Sequence, residues 1–132
     1  MNEKKLKHLE FLQNVITRMN SNSFLIKGWS ITLVSALFAL AEKDSSINYV
    51  VITYIVIPIF WGLDGYYLSQ ERQYRDLYNE VIKKDESVID FSMNASVFNN
   101  GKNSWSSIIF SKTIWILYTT IIVITIFVMY FF

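Results

Sequence analysis

Three ionisable side chains, Lys27, Asp64 and Lys112, lie inside or at the edge of stretches that are otherwise apolar. Taking such a group out of water is costly, so each is a functional candidate by default. Their depths can be compared by counting along helices. Lys27 lies fourteen residues before Ala41, and Asp64 lies seventeen after Ile47. At about 1.5 Å per residue both fall ~21–26 Å from the hairpin joining the first two stretches. Counting back from Phe132 places Lys112 ~30 Å from the far end of the third. The three therefore share one layer, and a Lys27–Asp64 pair is geometrically reasonable. Such a layer can act as a gate or ion site. The plainer reading has the lysines snorkelling to headgroups and Asp64 paired or wetted near its helix end, because none of the three is near the midplane.

No other grouping carries chemistry. His8 is the only histidine; it lies near a terminus expected to fray, and nothing marks a nucleophile for it to activate. No glycine-rich phosphate loop or metal-ligand cluster occurs, so neither a cofactor nor an enzymatic activity is expected. Asp85, Glu86 and Asp90 read as a solvated acidic surface. The chain has no cysteine, which excludes disulfides, thiolate metal sites and lipoprotein attachment.

The elements that would position these charges are membrane helices. Thr113 to Phe132 is a run of twenty residues without a charge, about 30 Å of α-helix and so the thickness of a bilayer core. Two more stretches qualify, 24–41 with Lys27 inside it and 47–68 with Asp64 near its end. Hydrophobic residues make up 52% of the chain, and the repeated alternating segments of a β-barrel are missing. The fold class expected is all-α and integral to the membrane, a single membrane domain with spans 24–41, 47–68 and 113–132.

Basic residues orient the spans, because Lys and Arg are retained on the cytoplasmic side. Lys4, Lys5, Lys7 and Arg18 precede the first span; Arg72, Arg75, Lys83, Lys84 and Lys102 follow the second. The 42–46 hairpin has only Lys43 beside Glu42 and Asp44. The N-terminus is expected inside and the C-terminus outside, in the inner membrane of a bacterium. This topology explains the basic residues near 72–84 better than nucleic acid does. Ala39-Leu40-Ala41 resembles a signal-peptide cleavage site, but more than twenty mostly polar residues precede the apolar run, so the first span is expected to stay.

Residues 1–22 read as a cytoplasmic amphipathic helix with Leu9, Leu12, Val15, Ile16 and Met19 on one face. It suits either the headgroup region or the protein's own second helix. Ser21-Asn22-Ser23 offers caps for the helix that follows. The second helix is expected to run on from Asn48 to Lys83, with a kink at Pro58. Residues 69–107 would then form a cytoplasmic helix and packed loop. Arg72, Arg75, Asp76, Lys83 and Lys84 are its candidate partner surface.

Small residues recur at helical spacing in Gly28, Thr32, Ser35, Ala36 and Ala39, and again at Gly62 and Gly65. Such stripes let helix backbones approach closely. Intrachain packing is their first expected use, and a homo-oligomer in the bilayer the second. Thr53, Tyr54, Tyr118, Thr119, Thr120 and Thr125 could line a narrow pore.

Asn22-Ser23-Phe24-Leu25-Ile26-Lys27-Gly28-Trp29, Phe60 to Leu68 with Glu71-Arg72, Asp90-Phe91-Ser92-Met93 and Phe110-Ser111-Lys112-Thr113 resemble a family of small bacterial membrane proteins with no assigned activity. The resemblance spans nearly the whole chain, and its motifs fall at the cytoplasmic boundary of each span. The hairpin with flanking helices also looks like the SLATT-type two-span effectors of nucleotide-signal and anti-phage conflict systems. This chain departs from those by its third span and by lacking a fused sensor domain. The resemblance implies a non-enzymatic oligomeric effector that permeabilises or depolarises the membrane, with a cytoplasmic protein or a nucleotide signal as its partner. The alternatives are a membrane adaptor that recruits a soluble partner, or an immunity protein.

Overall fold

A computed structural model describes residues 3–131; Met1, Asn2 and Phe132, which the first and last expected segments include, lie outside it. Four helices account for most of the chain: α1 (Glu3–Asp44), α2 (Asn48–Lys83), α3 (Trp105–Ile108) and α4 (Lys112–Phe131). Three short 3-10 turns, Glu86–Val88, Ser96–Phe98 and Gly101–Asn103, connect α2 to α3. There is no strand among the described residues. Helices α1, α2 and α4 are each long and apolar enough to cross a bilayer. At most 28% of any of their apolar windows is buried inside the protein, so lipid has to solvate the rest.

Two long helices, α1 and α2, form an antiparallel hairpin that packs along its length, and α4 lies mainly against α2. The hairpin turn is a Schellman motif: the Ser46 amide donates to the Ala41 carbonyl and the Ser45 amide to Glu42. Ser45 takes the left-handed position at φ 50°, where glycine is the usual occupant.

The N-terminal amphipathic segment is not a separate helix. α1 runs unbroken through Ser21-Asn22-Ser23, so the expected caps do not interrupt it. The physical reason is tertiary. Leu9, Leu12 and Ile16 are buried, and Leu9 and Leu12 join Leu77, Val81, Ile89 and Ala95 in one apolar cluster. Packing on α2 both below and above residue 22 outweighs a local preference for caps. α2 passes through Pro58 as one helix, which costs it one backbone hydrogen bond.

A second cluster sits between the spans and α3, built from Val34, Ile57, Ile108, Ile114, Tyr118 and Ile121. Two indoles tie α2 to the chain around α3. Trp61 Nε1 donates to the Ile109 carbonyl at 2.7 Å, and Trp105 Nε1 to the Gly62 carbonyl at 3.0 Å. Gly65 permits this approach, because a Cβ there would stand 2.6 Å from Ile109 Cγ2 and 3.4 Å from Trp105 Nε1. At Gly62 the nearest atom is Trp105 Cζ2 at 3.7 Å, and at Gly28 nothing lies within 4 Å. Gly65→Ala should therefore destabilise the protein by about 1–3 kcal/mol through overpacking. Gly62→Ala and Gly28→Ala should change it by less than about 0.5 kcal/mol. Equilibrium unfolding of the three variants in bicelles checks that order; equal effects would contradict it.

Candidate functional site

The charged layer is organised around one carboxylate. Asp64, on α2, is fully buried. Lys27 Nζ, from α1, lies 2.7 Å from its Oδ2. Tyr118 Oη, from α4, donates to the same oxygen at 3.0 Å. Ser23 Oγ, one helical turn from Lys27, donates to Oδ1. Lys27 Nζ also donates to Ser23 Oγ at 2.9 Å. Two of the long helices, α1 and α4, thus supply donors to a single acceptor carried by the third.

Local sequence explains the geometry. Ser23, Lys27 and Ser30 recur at four- and three-residue steps, so they share the α1 face that meets α2. Ser30 Oγ turns back to the Lys27 carbonyl at 2.8 Å. The Tyr118 ring stacks on Trp61 with centroids 5.9 Å apart and planes 9° from parallel. Since Trp61 is itself anchored to Ile109, the phenol is held at the height its hydroxyl needs. The Lys27 side chain keeps 25% of its surface exposed while Asp64 keeps none. The lysine therefore has a route to water that the aspartate lacks.

Lys112 does not belong to this cluster. It is exposed at the first turn of α4 and forms no ion pair among the described residues. Depth counting put Lys112 in the Asp64 layer, but the α4 residue that meets Asp64 is Tyr118, six residues further along the helix. Tyr118, read from sequence only as a candidate pore hydroxyl, takes the third position. The signal that could have found it is its spacing: six residues along α4, it lies about 9 Å deeper than Lys112 and can reach an inward-pointing carboxylate.

The other candidates divide. Gly62 and Gly65 meet Trp105 and Ile109. Gly28, Thr32, Ser35, Ala36 and Ala39 all face outward, so the expected intrachain role of that stripe is corrected. The buried face of α1 is instead Ser23, Ser30, Val34, Leu37 and Ala41. Of the hydroxyls, Thr53 and Thr125 are buried, Tyr54 and Thr119 half-buried and Thr120 exposed. On the projecting part of α2, Arg75 pairs with Glu71 at 2.8 Å and Asp76 accepts from Asn103 at 2.5 Å. Lys84 approaches Glu80 at 4.0 Å; Arg72 is half-buried and Lys83 exposed. His8 is not at a frayed end but buried, with Nε2 at 3.0 Å from the Ser92 carbonyl. Among the described residues no group of acidic or histidine side chains could hold a metal ion.

No family model, curated protein or solved structure matches this chain.

The asymmetry of exposure makes a testable ranking. Lys27→Met strands a carboxylate that cannot reach water, and should cost about 3–5 kcal/mol. Asp64→Ala should cost less, because Lys27 can turn to water. Tyr118→Phe removes one charge-assisted hydrogen bond, about 1.5–3 kcal/mol. The double variant Lys27→Met/Asp64→Leu should recover much of the loss. Unfolding free energies in bicelles measure all four, and a Lys27→Met as stable as the parent would overturn the ranking.

Proposed function

We propose that this chain is a non-enzymatic membrane effector that acts in the bacterial inner membrane with its N-terminus in the cytoplasm. It permeabilises or depolarises that membrane as an oligomer when its resting state is released. The observation that carries this reading is the convergence of α1, α2 and α4 on Asp64. One buried carboxylate holds three spanning helices together, so weakening it frees helices at once rather than loosening a side chain. The outward stripe of Gly28, Thr32, Ser35, Ala36 and Ala39 supports an oligomer, since it leaves a close-approach helix face open to a second copy. The resemblance to conflict-system effectors points the same way. No chemistry of bond making is supported by the site, which holds a lysine, a carboxylate and two hydroxyls committed to one another.

The adaptor reading draws less support. Three of its five candidate surface residues, Arg75, Asp76 and Lys84, already have partners within the chain.

Membrane potential followed with a voltage-sensitive dye tests the effector directly. Expression under activating conditions should depolarise cells, and Asp64→Asn should change the threshold or abolish the response. An unchanged potential in every condition, with the protein confirmed in the membrane, would favour the adaptor. Orientation has its own test, because the chain lacks cysteine. Lys43→Cys should react with an impermeant maleimide added outside intact spheroplasts. Lys102→Cys should react only after permeabilisation; the reverse pattern would invert the topology.

A further inference from the structure

We propose that the Asn100–Gly101 step in the connecting segment is a site of self-modification, where the chain converts its own side-chain amide to a carboxylate and loosens a tie to α2. The inference does not rest on the effector reading.

Asparagine is a labile residue, and most so before glycine. The backbone nitrogen of the glycine attacks the asparagine Cγ, and the Cγ–Nδ2 bond breaks as ammonia leaves. The attacking nitrogen gives its proton to solvent, and the departing ammonia takes one from solvent. Water then adds to either carbonyl of the succinimide ring and opens it, leaving an aspartyl or an isoaspartyl linkage. Only water is consumed. The reaction needs a nitrogen that is free and uncrowded, and a backbone able to turn it toward Cγ.

Asn100 and Gly101 meet these needs. Both are exposed. The Gly101 N–H donates to nothing among the described residues, whereas the carbonyl of the same residue accepts from Ser104. A Cβ added at Gly101 would meet no atom within 4 Å, so its surroundings are open. Asn100 stands at φ −152° and ψ 167°, so its peptide has to rotate to bring the Gly101 nitrogen against Cγ. Gly101, at φ 52° and without a side chain, can follow that rotation. The backbone bond at stake is Asn103 N–H to the Asn100 carbonyl, at 3.0 Å. The Asn100 side chain is held by one exposed bond, Nδ2 to the Val97 carbonyl at 3.2 Å, which water can replace.

The fold separates this step from the other asparagines. Asn14, Asn20, Asn22 and Asn79 lie within α1 and α2, where the following amide belongs to the helix ladder. After Asn99 and Asn103 the following amides donate to the Phe98 and Gly101 carbonyls. Asn48 and Asn94 precede Tyr49 and Ala95, whose side chains crowd the attack.

Conversion matters because of what stands three residues on. The Asn103 side chain donates to Asp76 of α2, and its carbonyl accepts from Ser69 of α2, both at 2.5 Å. The turn that presents Asn103 is closed by its own N–H on the Asn100 carbonyl. In the isoaspartyl form that carbonyl becomes a free carboxylate off the main chain, and the main chain gains a methylene. The turn then loses its acceptor, and with it the placing of Asn103 against α2.

The test is peptide mapping by mass spectrometry of the full chain in phosphatidylcholine nanodiscs, aged for weeks at neutral pH. Isoaspartate methyltransferase labelling reads the linkage. Conversion at Asn100 should run at least tenfold faster than at Asn20 or Asn22, with the isoaspartyl form the larger product. Gly101→Ala should slow it at least tenfold. Asn100→Gln, which leaves Gly101 in place, should remove it. Hydrogen exchange of residues 101–104 should be faster in aged than in fresh protein, and unchanged by ageing in Asn100→Gln. Conversion at Asn100 no faster than at Asn20 and Asn22 would overturn the proposal. So would converted and fresh protein that exchange alike over 101–104.

Discussion

A carboxylate that cannot reach water has to be satisfied from within the protein, and Asp64 sets that demand for the whole spanning region. It recruits an ammonium from α1, a hydroxyl from the same helix and a phenol from α4. Apolar helices have little reason to prefer one rotation over another in lipid, because tails solvate leucine as well as a neighbouring helix does. A shared polar acceptor removes that freedom. Once Ser23, Lys27 and Tyr118 point at one carboxylate, the register of three helices is fixed, and with it the faces left to the bilayer.

Beyond the spans the protein is held by ordinary burial. Leu9 and Leu12 of α1 join Leu77 and Val81 of α2, and Ile89 and Ala95 close over them from the connecting segment. That segment is mostly irregular backbone, so it depends on side-chain partners. Lys5 Nζ donates to the Lys84 carbonyl at 2.9 Å, and Ser69 Oγ to the Asn103 carbonyl at 2.5 Å. The paired indoles of Trp61 and Trp105 carry the same function at the junction with α3 and α4. Because Trp61 also stacks on Tyr118, the projecting part and the charged cluster are joined by one continuous run of contacts. A change at the connecting segment has a physical route to Asp64, which is what an effector governed from its cytoplasmic side would need.

α1 is the element that connects the two regions, and its continuity matters for that reason. One rigid helix carries an open cavity near Lys4 and His8 at one end and Ser23 and Lys27 at its middle. No break at Ser21-Asn22-Ser23 separates the two regions along the helix. The outward small-residue stripe lies on the same helix.

Sequence alone determined the three apolar lengths, the short hairpin and the extension of the second helix to Lys83, because hydropathy and period are local properties. It also determined that Lys27 and Asp64 share a depth, since depth along a helix is only a residue count. Rotation about the helix axis is not local. Whether a side chain points at a neighbour or at lipid depends on which faces pack, and that was decided in the tertiary structure. Hence Lys112 turned outward while Tyr118 turned to Asp64, and the stripe from Gly28 to Ala39 faced lipid while Gly65 admitted Ile109. The same reason governs Ser23 and His8. Read locally, one is a cap and the other belongs to a frayed end; packed against α2 and its following segment, one binds a carboxylate and the other is buried with a ring nitrogen still unmatched.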